Sequence, residues 1–216
     1  MKRHLTFASF LLMLVFTFWS LANTSHQHPE GHGDHSRVVL KCIPRDHHDF
    51  RSDVVPLIDE IIARHGEQEW ESVVLTNEFH RHLGIYSILG AKMGLHARDY
   101  FGVGLDELNV ESFAGLKPPV SCLNDGLQVS TGATLGHGTI SIVSDGSVRP
   151  QARFIHDGKA VVLTLKASYW NQVKQDIRKT IQQHGLHTPE YWQAVRKLGL
   201  NYWLQWRRSE LFERTR

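Results

Sequence analysis

The sequence predicts an α+β fold, a mainly antiparallel sheet packed with helices. Strand-like apolar runs cluster between about residues 105 and 165 and meet at a turn dipeptide, Asp157-Gly158. Helical patterns flank them on both sides, without the regular alternation of strand and helix that marks a parallel sheet. A hydrophobic share of 41%, with six Trp and ten Phe in 216 residues, is enough for one well-packed core.

In chain order, Lys2 and Arg3 precede the uncharged run LTFASFLLMLVFTFWSLA, which ends in Ser20-Leu21-Ala22. That pattern predicts a signal peptide over residues 1–22 and a periplasmic or secreted location. The run is also close to the ~20 residues that span a bilayer, so a retained anchor is the alternative. Residues 23–37 carry His26, His28, His32 and His35 among Gly, Pro, Asp and Ser, and are expected to be disordered. They read either as a solvating tail or as a flexible collector of zinc, copper or nickel. A strand is expected at VVLKCI from Val38. His47 and His48 between Asp46 and Asp49 read as surface residues.

Val54, Val55, Ile58, Ile61 and Ile62 recur at helix spacing, with Gly66 as the stop. A longer helix is expected from about Glu78 to Tyr100, with His80 and His82 at its beginning. Its Gly84, Gly90, Ala91 and Gly94 would let another backbone approach. Strands follow at Leu108–Phe113 and in TISIVSD, separated by a short helix from Val120 to about Ser130. RFIHDGKAVVLTL reads as a hairpin. Two helices close the chain, at about Ser168–His184 and from Pro189 to about Phe212.

Lys and Arg total 24 against 22 Asp and Glu, and removal of a leader holding Lys2 and Arg3 would bring the two into balance. Such a chain gives no reason to expect a nucleic-acid partner, or a membrane partner once the leader is cleaved. The basic residues near the C-terminus are interleaved with Glu210 and Glu213, as on a solvated helix face.

His80, His82, Cys122 and Asp125 are residues that an apolar core does not require. Two imidazoles and a thiolate can hold a transition metal, zinc first, and leave a position open for water or substrate. On a continuous helix His80 and His82 would point about 200° apart, so they converge only if His80 lies in the turn before the helix. Cys122, Asp125 and Gln128 fall along one edge of the short helix. The alternative is a capping histidine and a buried free cysteine. Thr131-Gly132-Ala133-Thr134-Leu135-Gly136 could expose backbone N–H groups to an anion or ligand, or be a tight turn. Gln128, Thr131, Gly132, Thr134 and Gly136 are the candidate ligand-binding residues there. A Cys42–Cys122 disulfide is the competing use of the two cysteines.

FHRHLGIYSILGAKMG followed by SCLNDGLQVSTGATLGHGTI resembles the core signature of the FmdE-like family, which takes its name from formylmethanofuran dehydrogenase, over about Asn77 to Leu165. The resemblance implies an α+β core, here spanning 38–185 with a C-terminal helical extension at 186–216. It places His80 and His82 on the family's His pair and Cys122 on its cysteine, and implies a metal-associated protein. Arg81 stands where the family usually has Gly, and Gly84 where many members place a second cysteine. No Cys-x-x-Cys ribbon follows, and an exported chain would be separated from formylmethanofuran chemistry. The expectation is an exported metal-binding protein that handles or delivers its metal. The alternatives are a metal-dependent enzyme with Asp125 as general acid or base, or a disulfide-bonded interaction domain. A metal ion is the expected partner, and a homodimer is compatible with the sequence.

Overall fold

The computed structural model describes residues 39–40 and 42–215. The expected leader and the histidine segment lie outside the described residues. The chain divides into two units, residues 1–42 and residues 43–216. In the first, no described residue forms the strand expected from Val38. Val39 is 91% exposed and Leu40 is exposed as well.

In the second unit a 3₁₀ turn at His47–Asp49 is followed by another at Val55–Leu57 that leads into α1 (Ile58–His65). Gly66, at φ 83°, ends α1. The next helix differs from expectation. α2 (Glu67–His80) and α3 (Ile85–Phe101) replace the single helix predicted over 78–100, because Arg81 adopts the left-handed conformation and ends α2. α2 is not visible in the apolar periodicity because it buries Glu69, Thr76 and Asn77 beside Trp70 and Val73, which erases a clean stripe.

β1 (Asn109–Ser112) is followed by a 3₁₀ turn at Val120–Cys122, α4 (Leu123–Thr131) and β2 (Ile140–Ile142). β3 (Gln151–His156) and β4 (Lys159–Leu165) form the predicted hairpin, with Asp157 and Gly158 both at positive φ. α5 (Ala167–His184) and α6 (Pro189–Gln205) follow. The final helix is shorter than expected, and the chain closes with α7 (Arg208–Leu211) and β5 (Phe212–Thr215). The five strands form one sheet in the order β2-β1-β3-β4-β5, parallel only between β1 and β2. The fold is α+β with a mostly antiparallel sheet, as expected. Among the described residues no helix is long and apolar enough to cross a membrane.

α3 lies between two apolar clusters. Leu89 and Met93 face the sheet side with Phe154, Val161 and Leu163. Ile88 and Ala91 face α1, α2 and α6 with Ile61, Trp70 and Trp203. Its glycines are used as the sequence suggests. A Cβ at Gly90 would overlap the carbonyl of Leu123, and one at Gly126 would overlap Ser87 O and Ala91 N. α3 and α4 therefore touch backbone to backbone. This contact sets the N-terminus of α4, and with it Cys122 and Asp125.

Candidate functional site

A break between α2 and α3 builds the site. α2 stops at His80, the last residue of its helix, because Arg81 turns left-handed at φ 68°. His82 then falls in the turn before α3. The convergence that a continuous helix forbids is achieved by splitting it: the two imidazole rings lie 4.1 Å apart, centroid to centroid. A non-glycine residue in this conformation costs about 1–2 kcal/mol, which gives a physical reason for the glycine usual in related motifs.

Asn77 holds the turn. Its side-chain oxygen accepts from Gly84 N at 3.0 Å and Ser87 Oγ at 3.1 Å, while its Nδ2 donates to Val73 O. Sequence reasoning missed this role. The available signal was an amide on the inward side of α2, three residues before a histidine pair.

Asp125, in the first turn of α4, meets His80 Nδ1 through Oδ2 at 2.6 Å. With Nδ1–H donating to the carboxylate, Nε2 of a neutral ring is left as the acceptor. That nitrogen is buried and has no hydrogen-bond partner. An unpaired buried polar atom costs about 1–3 kcal/mol, so the arrangement suits a ring whose second nitrogen serves an incoming group. Gly84 stands beside it. An added Cβ there would lie 3.1 Å from Nε2 and 2.8 Å from Ser87 Oγ, so any larger residue would crowd this nitrogen.

His82 is at the surface, edge-on to Trp192 at 5.5 Å. Partial desolvation lowers its pKa and the adjacent His80 lowers it further, both favouring the neutral, ligand-ready form. Cys122 is half-buried at the end of its 3₁₀ turn, where burial, then the Asp125 carboxylate, push its thiol pKa up. A cation would have to displace that proton. Cys42 and Cys122 are both free thiols, Cys42 exposed and Cys122 partly buried. Tyr86, buried on α3, accepts from Trp170 Nε1 at 3.1 Å, and burial raises its pKa while that hydrogen bond acts against the rise. Among the described residues, no three His, Cys, Asp or Glu side chains stand close enough together to hold a metal ion.

The candidate ligand-binding residues at the far end of α4 form something else. Gly132, at φ 77°, caps the helix and donates to Gln128 O. Gln128 Oε1 accepts from Leu135 N, Thr131 Oγ1 from Ala133 N, and Thr134 Oγ1 from His137 N. Thr134 N in turn donates to Thr139 Oγ1. These bonds describe a tight turn in which the N–H groups of residues 132–135 and 137–139 are used internally. Gly136 lies within it, its Cα open to space save for Thr134 Oγ1. Seven residues of α-helical rise separate Asp125 from Gly132, about 10 Å, so this loop and the histidines occupy opposite ends of α4. A groove of about 770 Å³ along α5 and α6, lined by Tyr169, Asp176, Tyr202 and Trp206 among others, includes none of these residues.

A family described as "FmdE, Molybdenum formylmethanofuran dehydrogenase operon" matches residues 79–213. The chain belongs to the FmdE family. The FmdE match begins one residue before His80 and runs through α6 into β5, well beyond the Leu165 at which the motif resemblance ended. No curated protein matches the chain.

Proposed function

We propose that this FmdE-family chain is an exported metal-handling protein. It takes one transition-metal ion, zinc first, as cargo at His80, His82 and Cys122. The observation that supports this reading above others is the buried, unpartnered Nε2 of His80, fixed from behind by Asp125. A carboxylate on the far nitrogen is the usual support of a metal-binding imidazole. His82 and the Cys122 thiolate are the remaining donors, and N₂S with an open position suits zinc. Since no three-ligand group is preformed among the described residues, loading requires His82 and Cys122 to move onto a cation anchored at His80. The histidine-rich segment at 23–37 would raise local capture.

Elemental analysis of the purified chain tests this. One tight equivalent is expected in the wild type, lost in both His80→Ala and Cys122→Ser. Retention of that equivalent in either variant would show that the two motifs do not share a site.

The His80–Asp125 pair also favours a second reading. An imidazole with a carboxylate on Nδ1 and a free Nε2 is the unit that takes a proton from a nucleophile. Under this reading the site is that of a metal-dependent enzyme using an activated water, with Asp125 acting through His80.

A further inference from the structure

α3 begins at Ile85, three residues after His82. No side chain caps it, and no acceptor among the described residues meets the backbone N–H groups of Ile85, Tyr86 and Ser87. Those residues are buried, at 4%, 3% and 0% exposure. Uncapped helix starts are ordinary where water can serve them, as at α5, which opens with exposed Ala167 and Ser168. α6 has a side-chain cap instead, Thr188 Oγ1 accepting from Tyr191 N. A buried helix end with neither calls for a partner.

The second unsatisfied group is next to it. His80, whose side chain is only 10% exposed, presents its unpartnered Nε2 to Gly84, the residue that caps α3. Buried N–H donors and a buried imidazole nitrogen thus meet at one helix start. The N–H groups and the helix dipole favour an anion. His80, with Asp125 behind it, favours a cation or a proton. One ligand that satisfies both is a cation with an oxyanion attached.

We infer that this site takes its cargo metal together with a small carboxylate, whose oxygens accept from the first N–H groups of α3. The inference rests on the metal-handling reading and specifies what accompanies the ion. Because the anion and the cation bind next to each other, each strengthens the other by the same factor.

The test uses the full chain with cobalt, whose visible absorption reports its ligands, titrated in acetate and in chloride at equal ionic strength and equal free cobalt. The signal assigned to the site is the part abolished by His80→Ala, which sets aside cobalt on the histidine segment. That signal is expected to appear at about fivefold or more lower cobalt in acetate. Ile85→Pro localises the effect, since proline is tolerated at the first helical position and Gly84, at ψ 143°, is already extended as a residue before proline must be. It removes one N–H donor and should shrink the acetate dependence while leaving cobalt binding in chloride. If Ile85→Pro does not fold, the wild-type comparison decides alone. Equal cobalt affinity in the two salts overturns the inference and leaves the metal reading intact. Absence of any His80-dependent cobalt signal overturns both.

Discussion

At the residue scale, the behaviour of the site depends on which nitrogen of His80 carries the proton. Asp125 answers this by accepting from Nδ1 at 2.6 Å, so its part in the site is exerted through His80. Asp125→Asn keeps the shape and removes the charge. It is expected to weaken cobalt or zinc binding about 10- to 100-fold with little change in thermal stability, since the carboxylate is part-exposed. Isothermal titration beside a melting curve checks both halves. An unchanged affinity would show that the hydrogen bond does not support a ligand. Asn77 and Gly84 matter for a different reason. Asn77 pins the turn by three hydrogen bonds, and Gly84 leaves space at Nε2 that a side chain would fill.

At the element scale, the site is placed by the contact of α3 with α4. The bare backbones of Gly90 and Gly126 meet, so that the start of α4 lies against the turn between α2 and α3. Gly126→Ala adds one methyl where there is no room, against backbone atoms of Ser87 and Ala91 that cannot rotate away. Overpacking of this kind costs about 1–3 kcal/mol or more. The expected result is a urea midpoint lowered accordingly, together with loss of metal binding as Asp125 is pushed off His80. A variant of wild-type stability would mean that the helices can separate without cost. Gly138, where an added Cβ would meet nothing within 4 Å, serves as the control site, although its own positive φ makes alanine there modestly unfavourable.

At the scale of the whole molecule, a buried charge network ties the C-terminal segment to the centre. Lys92 on α3 donates to the Glu69 carboxylate, to Trp206 O at 2.8 Å and to Trp203 O. Arg208 reaches the other Glu69 oxygen at 3.1 Å and Asp99 at 2.8 Å. His65 lies against the same carboxylate and bonds Leu204 O through Nε2. Burial, then the Lys92 charge, lower the His65 pKa below its ordinary 6.5, and burial does the same for His96. Below pH 6.5 the unfolded chain takes up protons that the folded chain refuses. Stability should therefore fall as pH drops through 6.5 and continue falling toward the depressed folded-state values. Urea midpoints at about pH 7.5, 6.5 and 5.5 are expected to decrease in that order. A flat or rising series would contradict the assignment.

Much of this was legible from the residues. The hairpin follows from Asp157-Gly158, whose positive φ values only a few residue types tolerate. The close approach of α3 and α4 follows from glycines at helical spacing, and His80, His82, Cys122 and Asp125 stood out because a core has no use for them. These are local properties, set by backbone sterics and the cost of burying polar groups, and they are written in short stretches of chain. Other features depend on distant partners and could not be read from any short stretch. The left-handed turn at Arg81 goes against its residue's own preference, and the turn is held by the Asn77 side chain. α2 buries charge that Lys92 and Arg208 neutralise from positions 23 and 139 residues away, and β5 exists only because β4 offers an edge. Residue identity alone marked His80, His82, Cys122 and Asp125 as the candidates. Folding gave His80 a carboxylate on one nitrogen and nothing on the other, because that depends on three helix ends meeting at one point.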